Sequence, residues 1–273
     1  MPPGSSRSPS PESEDDGSAT PTLQNASFIT KEDVSALLLR ARMFYKGEGS
    51  EDAKQDRSSP KYNFYKYIQK KSSNKVYNIQ KLNAAGIDTS SPKYAARNSN
   101  ADRINPLINT QRDRFEEETR PKYGDILFSS NFAAGNCVEM ASVVMSLCRK
   151  DSAFSSKFEK IYYISVNEPG DHVFVALSVD GTRPNWTKIP FMMNEGKRYR
   201  NNFWIIDCWL NVACQARDYH TEAQQKLKRW GTQGKEIICQ NSAGVIRQYD
   251  LNENDYLTQM MGSRLEVKDK DTA

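Results

Sequence analysis

A thiol, an imidazole and a carboxylate, met in that order, can together run acyl-transfer chemistry, and this chain carries such a set in Cys137, His172 and Asp207. Thiol catalysis needs a thiolate, a base to hold and pass the proton, and a third group that fixes the base's tautomer. Cys137 lies in Gly135-Asn136-Cys137-Val138-Glu139-Met140-Ala141, where the small-residue approach Ala133-Ala134-Gly135-Asn136 gives way to an apolar helical run. A helix N-terminus presents unpaired N–H groups and the positive end of the dipole, and both favour a thiolate over a thiol. His172 opens the strand-like run His172-Val173-Phe174-Val175-Ala176-Leu177. Asp207 falls inside Trp204-Ile205-Ile206-Asp207-Cys208-Trp209, a carboxylate among apolar neighbours that needs a partner to be tolerated there. Glu139 is expected to project from the first helical turn, where it suits the dipole but opposes a thiolate.

The elements that must position these groups follow from periodicity. Residues 161–166, 172–179 and 203–210 are rich in β-branched and aromatic side chains and read as strands. If the second and third pair antiparallel, His172 near the start of one faces Asp207 near the end of its neighbour. The helix opened by Cys137 turns Val138, Ala141, Val144, Met145 and Cys148 to one side and can pack across that sheet. A short helix over Ser152–Lys160, a helix over Tyr219–Trp230 and a strand over 236–239 complete this half. His220 reads as a surface or capping residue. The link Thr182–Asn202 is too long for a tight hairpin; Trp186, Phe191, Met192 and Met193 make it either a lid or an insertion packed on the sheet.

Upstream, Thr30 reads as the N-cap of a helix over Lys31–Lys46, with Glu32 and Asp33 in its first turn. A Lys- and Tyr-rich stretch, 61–85, suits an amphipathic helix or helix pair whose aromatics face a core. A further helical pattern covers about 101–118. The organisation expected is therefore a Ser-, Pro- and acid-rich tail over 1–27 without core-forming side chains, a helical region over 28–120, a catalytic core over 121–260, and a flexible tail over 261–273. The fold class expected is α+β: a nucleophile helix packed on an antiparallel sheet, with added N-terminal helices.

Bulk composition narrows the classes. The 273 residues are 37% hydrophobic and carry a formal charge of +4, too mild to argue for nucleic acid. Five cysteines form no C-x-x-C pair, and two histidines cannot build a His-rich metal site. The other cysteines, 148, 208, 214 and 239, read as buried hydrophobes. No apolar run is long enough for a membrane span, and the N-terminus lacks the apolar core of a general secretory signal. Its Ser-rich, unstructured composition also suits a signal for a bacterial injection system.

Over residues 124–215 the chain resembles the papain-like and transglutaminase-like superfamily of Cys-His-Asp enzymes. More narrowly it resembles bacterial effector enzymes with a Gly-Asn-Cys-x-Glu-Met-Ala segment, an Asp-His-x-Phe-x strand and an Ile-Asp-x-Trp strand, here Gly135–Ala141, Asp171–Val175 and Ile206–Trp209. The resemblance implies Cys137 as nucleophile, His172 as general base and acid, and Asp207 as orienting carboxylate, with no cofactor and no metal. Asn131 takes the place of a glutamine that, six residues before the nucleophile, helps form the oxyanion hole. The implied chemistry is attack on a protein amide through a thioester, resolved by water (proteolysis or glutamine deamidation) or by an amine (transamidation). The implied setting is a host cell, with a host protein as substrate, entered from the bacterial cytoplasm by a non-classical route. Two rivals stand beside it: a catalytically idle module of the same scaffold that grips a host partner, and a nucleic-acid or lipid contact in the basic Tyr/Lys stretch. The residues leave the oligomeric state open.

Overall fold

The computed structural model describes residues 29–45, 83, 84, 86, 88–90, 120–129, 135–193, 202–233, 235–240, 245–251 and 255–269. The expectations for the 1–27 tail, for the 101–118 helix, for Asn131 and for nearly all of the 61–85 segment lie outside the described residues.

A five-stranded antiparallel sheet organises the described residues. In chain order its strands are β1 (Lys160–Val166), β2 (His172–Ser178), β3 (Phe203–Asp207), β4 (Val212–Gln215) and β7 (Leu265–Asp269), and their spatial order is β4-β3-β2-β1-β7. All seven residues of the central β2 are buried, so both of its faces are covered. The side chains sort by strict alternation. Ile161, Tyr163, Val173, Val175, Leu177, Trp204 and Ile206 enter one core, while Tyr162, Ile164, Phe174, Ala176, Phe203 and Ile205 enter another.

Helices cover each face. On the first lie α1 (Lys31–Phe44), α2 (Arg120–Ser129), α3 (Cys137–Lys150) and the single turn α4 (Ser152–Ser155). On the second lie α5 (Ile189–Met193), α6 (Tyr219–Gly231) and α7 (Asp255–Gly262), with the two-stranded ribbon β5 (Glu236–Gln240) and β6 (Ile246–Asp250). The architecture is mixed α+β on an antiparallel sheet. Among the described residues no helix is long and apolar enough to cross a membrane.

Local chemistry accounts for the ends. α1 starts on a capping box: the Asp33 N–H donates to Thr30 Oγ1 at 3.2 Å, and the Thr30 N–H donates to Asp33 Oδ2 at 2.9 Å. Its stripe Val34, Leu37, Leu38 and Ala41 is buried as the spacing predicts. Salt bridges from Lys157 to Asp33 (2.8 Å) and from Arg40 to Asp151 tie α1 to the segment after α3.

Several sequence expectations need correction. α3 is not one-sided; every residue from Glu139 to Cys148 is buried, because α2 lies on its back. No element is expected from the sequence over 120–129, where α2 forms with Pro121 near its start and Gly124 within it. Gly124 is required by the crossing, since a Cβ there would sit 2.0 Å from the Ser142 carbonyl oxygen. The helix expected over Ser152–Lys160 stops after one turn at Ser155. Residues 261–269 do not trail off: α7 runs to Gly262, and Leu265–Asp269 pairs with Val166–Tyr162 as the edge strand β7. Its polar sequence suits an edge strand with a largely solvated face. The third strand ends at Asp207, and a turn through Asn211, at φ 62, leads into β4. In the Thr182–Asn202 link, Trp186, Ile189 and Met192 are buried against the second face, so its described part is packed insertion, not a free lid.

Candidate active site

The site is assembled at one end of the sheet. Cys137 is the first residue of α3, with Asn136 as its N-cap in extended conformation. The turn is fixed from inside by Glu139, which is fully buried. Its carboxylate accepts the Asn136 N–H at 2.9 Å and the Tyr123 hydroxyl of α2 at 3.2 Å. Glu139 therefore does not project to solvent as expected; it holds the N-cap residue against the second helix. Gly135 makes this possible, because a Cβ there would come within 2.4 Å of Glu139 Cβ. The Met140 N–H closes the first helical bond onto Asn136 at 3.0 Å. Cys137 itself is half-buried and packs against the first core.

The second half of the site is the pair His172–Asp207. Nε2 of His172 lies 2.7 Å from Oδ2 of Asp207, and both side chains are essentially fully buried. The carboxylate has two further donors: the Tyr219 hydroxyl at 2.7 Å to Oδ2 and the Leu210 N–H at 2.8 Å to Oδ1. Three charge-assisted bonds of this kind let a carboxylate exist among apolar neighbours. Burial and the adjacent Asp207 push the Tyr219 pKa well up, so the phenol remains a donor. With the Nε2–H committed to Asp207, a neutral imidazole carries its lone pair on Nδ1. The ring packs against Trp209 at 5.3 Å and Phe174 at 6.1 Å between centroids. Just before His172, Asp171 has φ 38, in the left-handed region, a strain that fixed surroundings must support. That support is visible. The Tyr256 hydroxyl of α7 donates to the Gly170 carbonyl at 3.3 Å, and a Cβ on Gly170 would meet Val166 Cγ1 at 2.5 Å.

His172 and Asp207 share strand parity with Phe174 and Ile205, so they belong to the α6 face, whereas α3 packs on Val173 and Val175. His172 begins β2 and Asp207 ends β3, so the two lie at one end of the sheet. Buried Tyr45, the residue after α1, has its hydroxyl pKa raised by burial first, then by Cys208 beside Asp207 and by Glu139 in the first turn of α3. Cys137 and Trp209 both pack against the first core, and Trp209 packs against the second as well. The structure thus joins His172 to Asp207 directly and sets Cys137 on the core that Trp209 also borders. Asn131 lies outside the described residues.

Two contributors had no clear sequence signal. Tyr219 could have been suspected from an aromatic opening an otherwise polar helix. Glu139 could have been suspected from its spacing of three from an N-cap asparagine. Cys148, Cys208 and Cys214 are buried as expected, and burial pushes the Cys214 thiol far up, leaving it inert. The side chain of Cys239 lies outside the described residues. Comparison of the chain with family models, with curated proteins and with solved structures gives no match in any of the three.

Proposed function

We propose that the protein is a thiol enzyme that attacks a protein amide through a Cys137 thioester, on a papain-like or transglutaminase-like core. The observation that supports this best is the buried 2.7 Å contact between His172 and Asp207, closed by Tyr219 and Leu210. An isolated structural histidine has no need of a carboxylate held by two further donors.

In this reading His172 Nδ1 takes the Sγ–H proton of Cys137. The thiolate adds to the amide carbonyl carbon, and the resulting oxyanion is received by the Cys137 N–H at the start of α3, with Asn131 as a second candidate donor. Collapse breaks the C–N bond, and the imidazolium gives its proton to the leaving nitrogen, which departs as an amine or as ammonia. The thioester is then opened by a nucleophile that loses its proton to His172: water yields a carboxylic acid, and an amine yields a new amide. Asp207 stays ionised throughout and holds the ring. Proteolysis, glutamine deamidation and transamidation share this intermediate. The sequence resemblance extends the reading to a bacterial effector working on a host protein.

The decisive measurement is the pH dependence of iodoacetamide labelling at Cys137, beside amide turnover on candidate host proteins followed by mass spectrometry. A poised thiolate labels well below the ordinary thiol pKa of about 8.5, and the His172→Ala variant loses that advantage. Labelling that follows an ordinary thiol in both proteins, with no cleavage, deamidation or cross-link, would leave the idle binding module as the correct reading.

A further inference from the structure

Four cations from three parts of the chain converge on the aromatic wall beside His172. Arg42, in the last turn of α1, donates from Nη1 to the Cys208 carbonyl at 3.1 Å, one residue from Asp207. Trp209 follows Cys208 and meets the α6 residue Trp230 edge to face at 5.4 Å. Lys235 lies over the Trp230 ring at 5.3 Å. Lys226 and Arg229 stand four and one residues before Trp230, so Lys226 shares its side of α6.

Among the described residues Arg42, Lys226 and Arg229 enter no ion pair. Glu222, one turn before Lys226, is turned to Lys31 at 3.7 Å. Asp207 is a nearby carboxylate, and its two oxygens already receive His172, Tyr219 and Leu210. Lys226 registers the neighbouring cations. Burial lowers its pKa first, and Arg42, Arg229 and Lys235 lower it further, to about 8, against a smaller upward pull from Asp207. Holding like charges together is unfavourable in the empty protein and becomes favourable when an anion enters among them.

We propose that Arg42, Lys226, Arg229 and Lys235, grouped around the Trp209–Trp230 wall next to His172, form a subsite for a carboxylate side chain of the substrate polypeptide. The enzyme would thereby select an amide that lies beside an acidic segment. The aromatic wall offers packing for the aliphatic part of the same segment. This rests on the amide-directed reading above, which assigns the neighbouring His172 to the reaction centre.

The test separates the two claims by measuring binding without turnover. Full-length Cys137→Ala protein is titrated, by fluorescence anisotropy, with a fluorescein-labelled Glu-rich octapeptide and with its Gln isostere, at low and at physiological salt. Tighter binding of the Glu peptide is expected, with a preference that shrinks as salt rises. The Lys226→Gln/Arg229→Gln double variant should lose about tenfold in affinity for the Glu peptide alone, with no fall in its unfolding midpoint. Lys226→Arg should retain the preference. Equal affinity for the two peptides, or a double variant that binds as the parent does, would overturn the subsite. So would charge-dependent binding to phosphatidylserine vesicles that the Glu peptide fails to displace, because the cations would then serve a lipid surface. If the Glu preference holds but the thiol proves ordinary, the subsite stands and the catalytic reading falls.

Discussion

The Cys137 turn and the His172–Asp207 pair are held by unlike means. Asp207 sits at the end of a buried strand, receives three hydrogen bonds, and has neighbours from β2, the β3–β4 turn and α6. The Cys137 turn is tied to α2 by Glu139, whose carboxylate accepts from the N-cap N–H and from Tyr123. The residues immediately before Gly135 lie outside the described set. One half is built around a carboxylate at the end of a strand, the other around a carboxylate in the first turn of a helix. In the proposed mechanism the first arrangement keeps the base in one tautomer and orientation, and the second fixes the backbone that carries the nucleophile.

That contrast can be broken in graded ways. The largest effect is expected for Cys137→Ala, which should lower amide turnover by at least about a thousandfold while leaving the thermal unfolding curve in place. Turnover that survives this change would remove Cys137 from the chemistry. Next, Asp207→Ala strands the His172 ring, the Tyr219 hydroxyl and the Leu210 N–H in the interior. Denaturant unfolding should show a loss of about 3–5 kcal/mol, against about 1 kcal/mol for Tyr219→Phe. Similar losses from the two variants would mean that Asp207 is not the hub. A smaller effect, about 1–2 kcal/mol, is expected for Glu139→Gln, where an amide must satisfy two donors. It should also hasten Cys137 alkylation at neutral pH, because a negative charge near the thiolate has been removed. Slower alkylation would show that Glu139 matters for placement more than for charge.

The smallest effect concerns Lys226 and has a defined pH signature. Its pKa is about 8 in the folded protein against 10.5 as the reference value. Between those values the unfolded chain binds more protons than the folded one, so this group's contribution to stability rises with pH across that window and is most unfavourable below pH 8. Lys226→Gln should therefore raise the melting temperature at pH 7 by about a degree or two, with the gain fading towards pH 10.5. A gain that is flat with pH would assign the change to packing.

Much of this arrangement was legible in the residues. The Thr30 cap, the start of a helix at Cys137, the strands carrying His172 and Asp207, and their antiparallel pairing all follow from local chemistry that the tertiary structure keeps. What escaped was set by contacts distant in sequence. No helix is read over 120–129, yet α2 forms there and Gly124 is the residue that lets it lie against Ser142. β7 reads as a polar tail, and only pairing with β1, about a hundred residues earlier, makes it a strand. Glu139 reads as an acid projecting from the first helical turn, and only Tyr123 of α2 shows that it is buried and bonded. The opposite-face placement of His172 and the α3 helix was likewise invisible. Strand parity is a local property, but which face a distant helix covers is not.

Trp209 offers a last consequence, an optical one. Its indole lies 5.3 Å from the His172 ring, and a positive imidazolium at that distance attracts the ring electrons and quenches indole emission more strongly than neutral imidazole does. The chain holds four tryptophans, so subtraction of a Trp209→Phe spectrum isolates this one. Proton arrival at His172 in the proposed mechanism then becomes a light signal. It can be followed in stopped flow during a single encounter with substrate, with no label attached to either molecule.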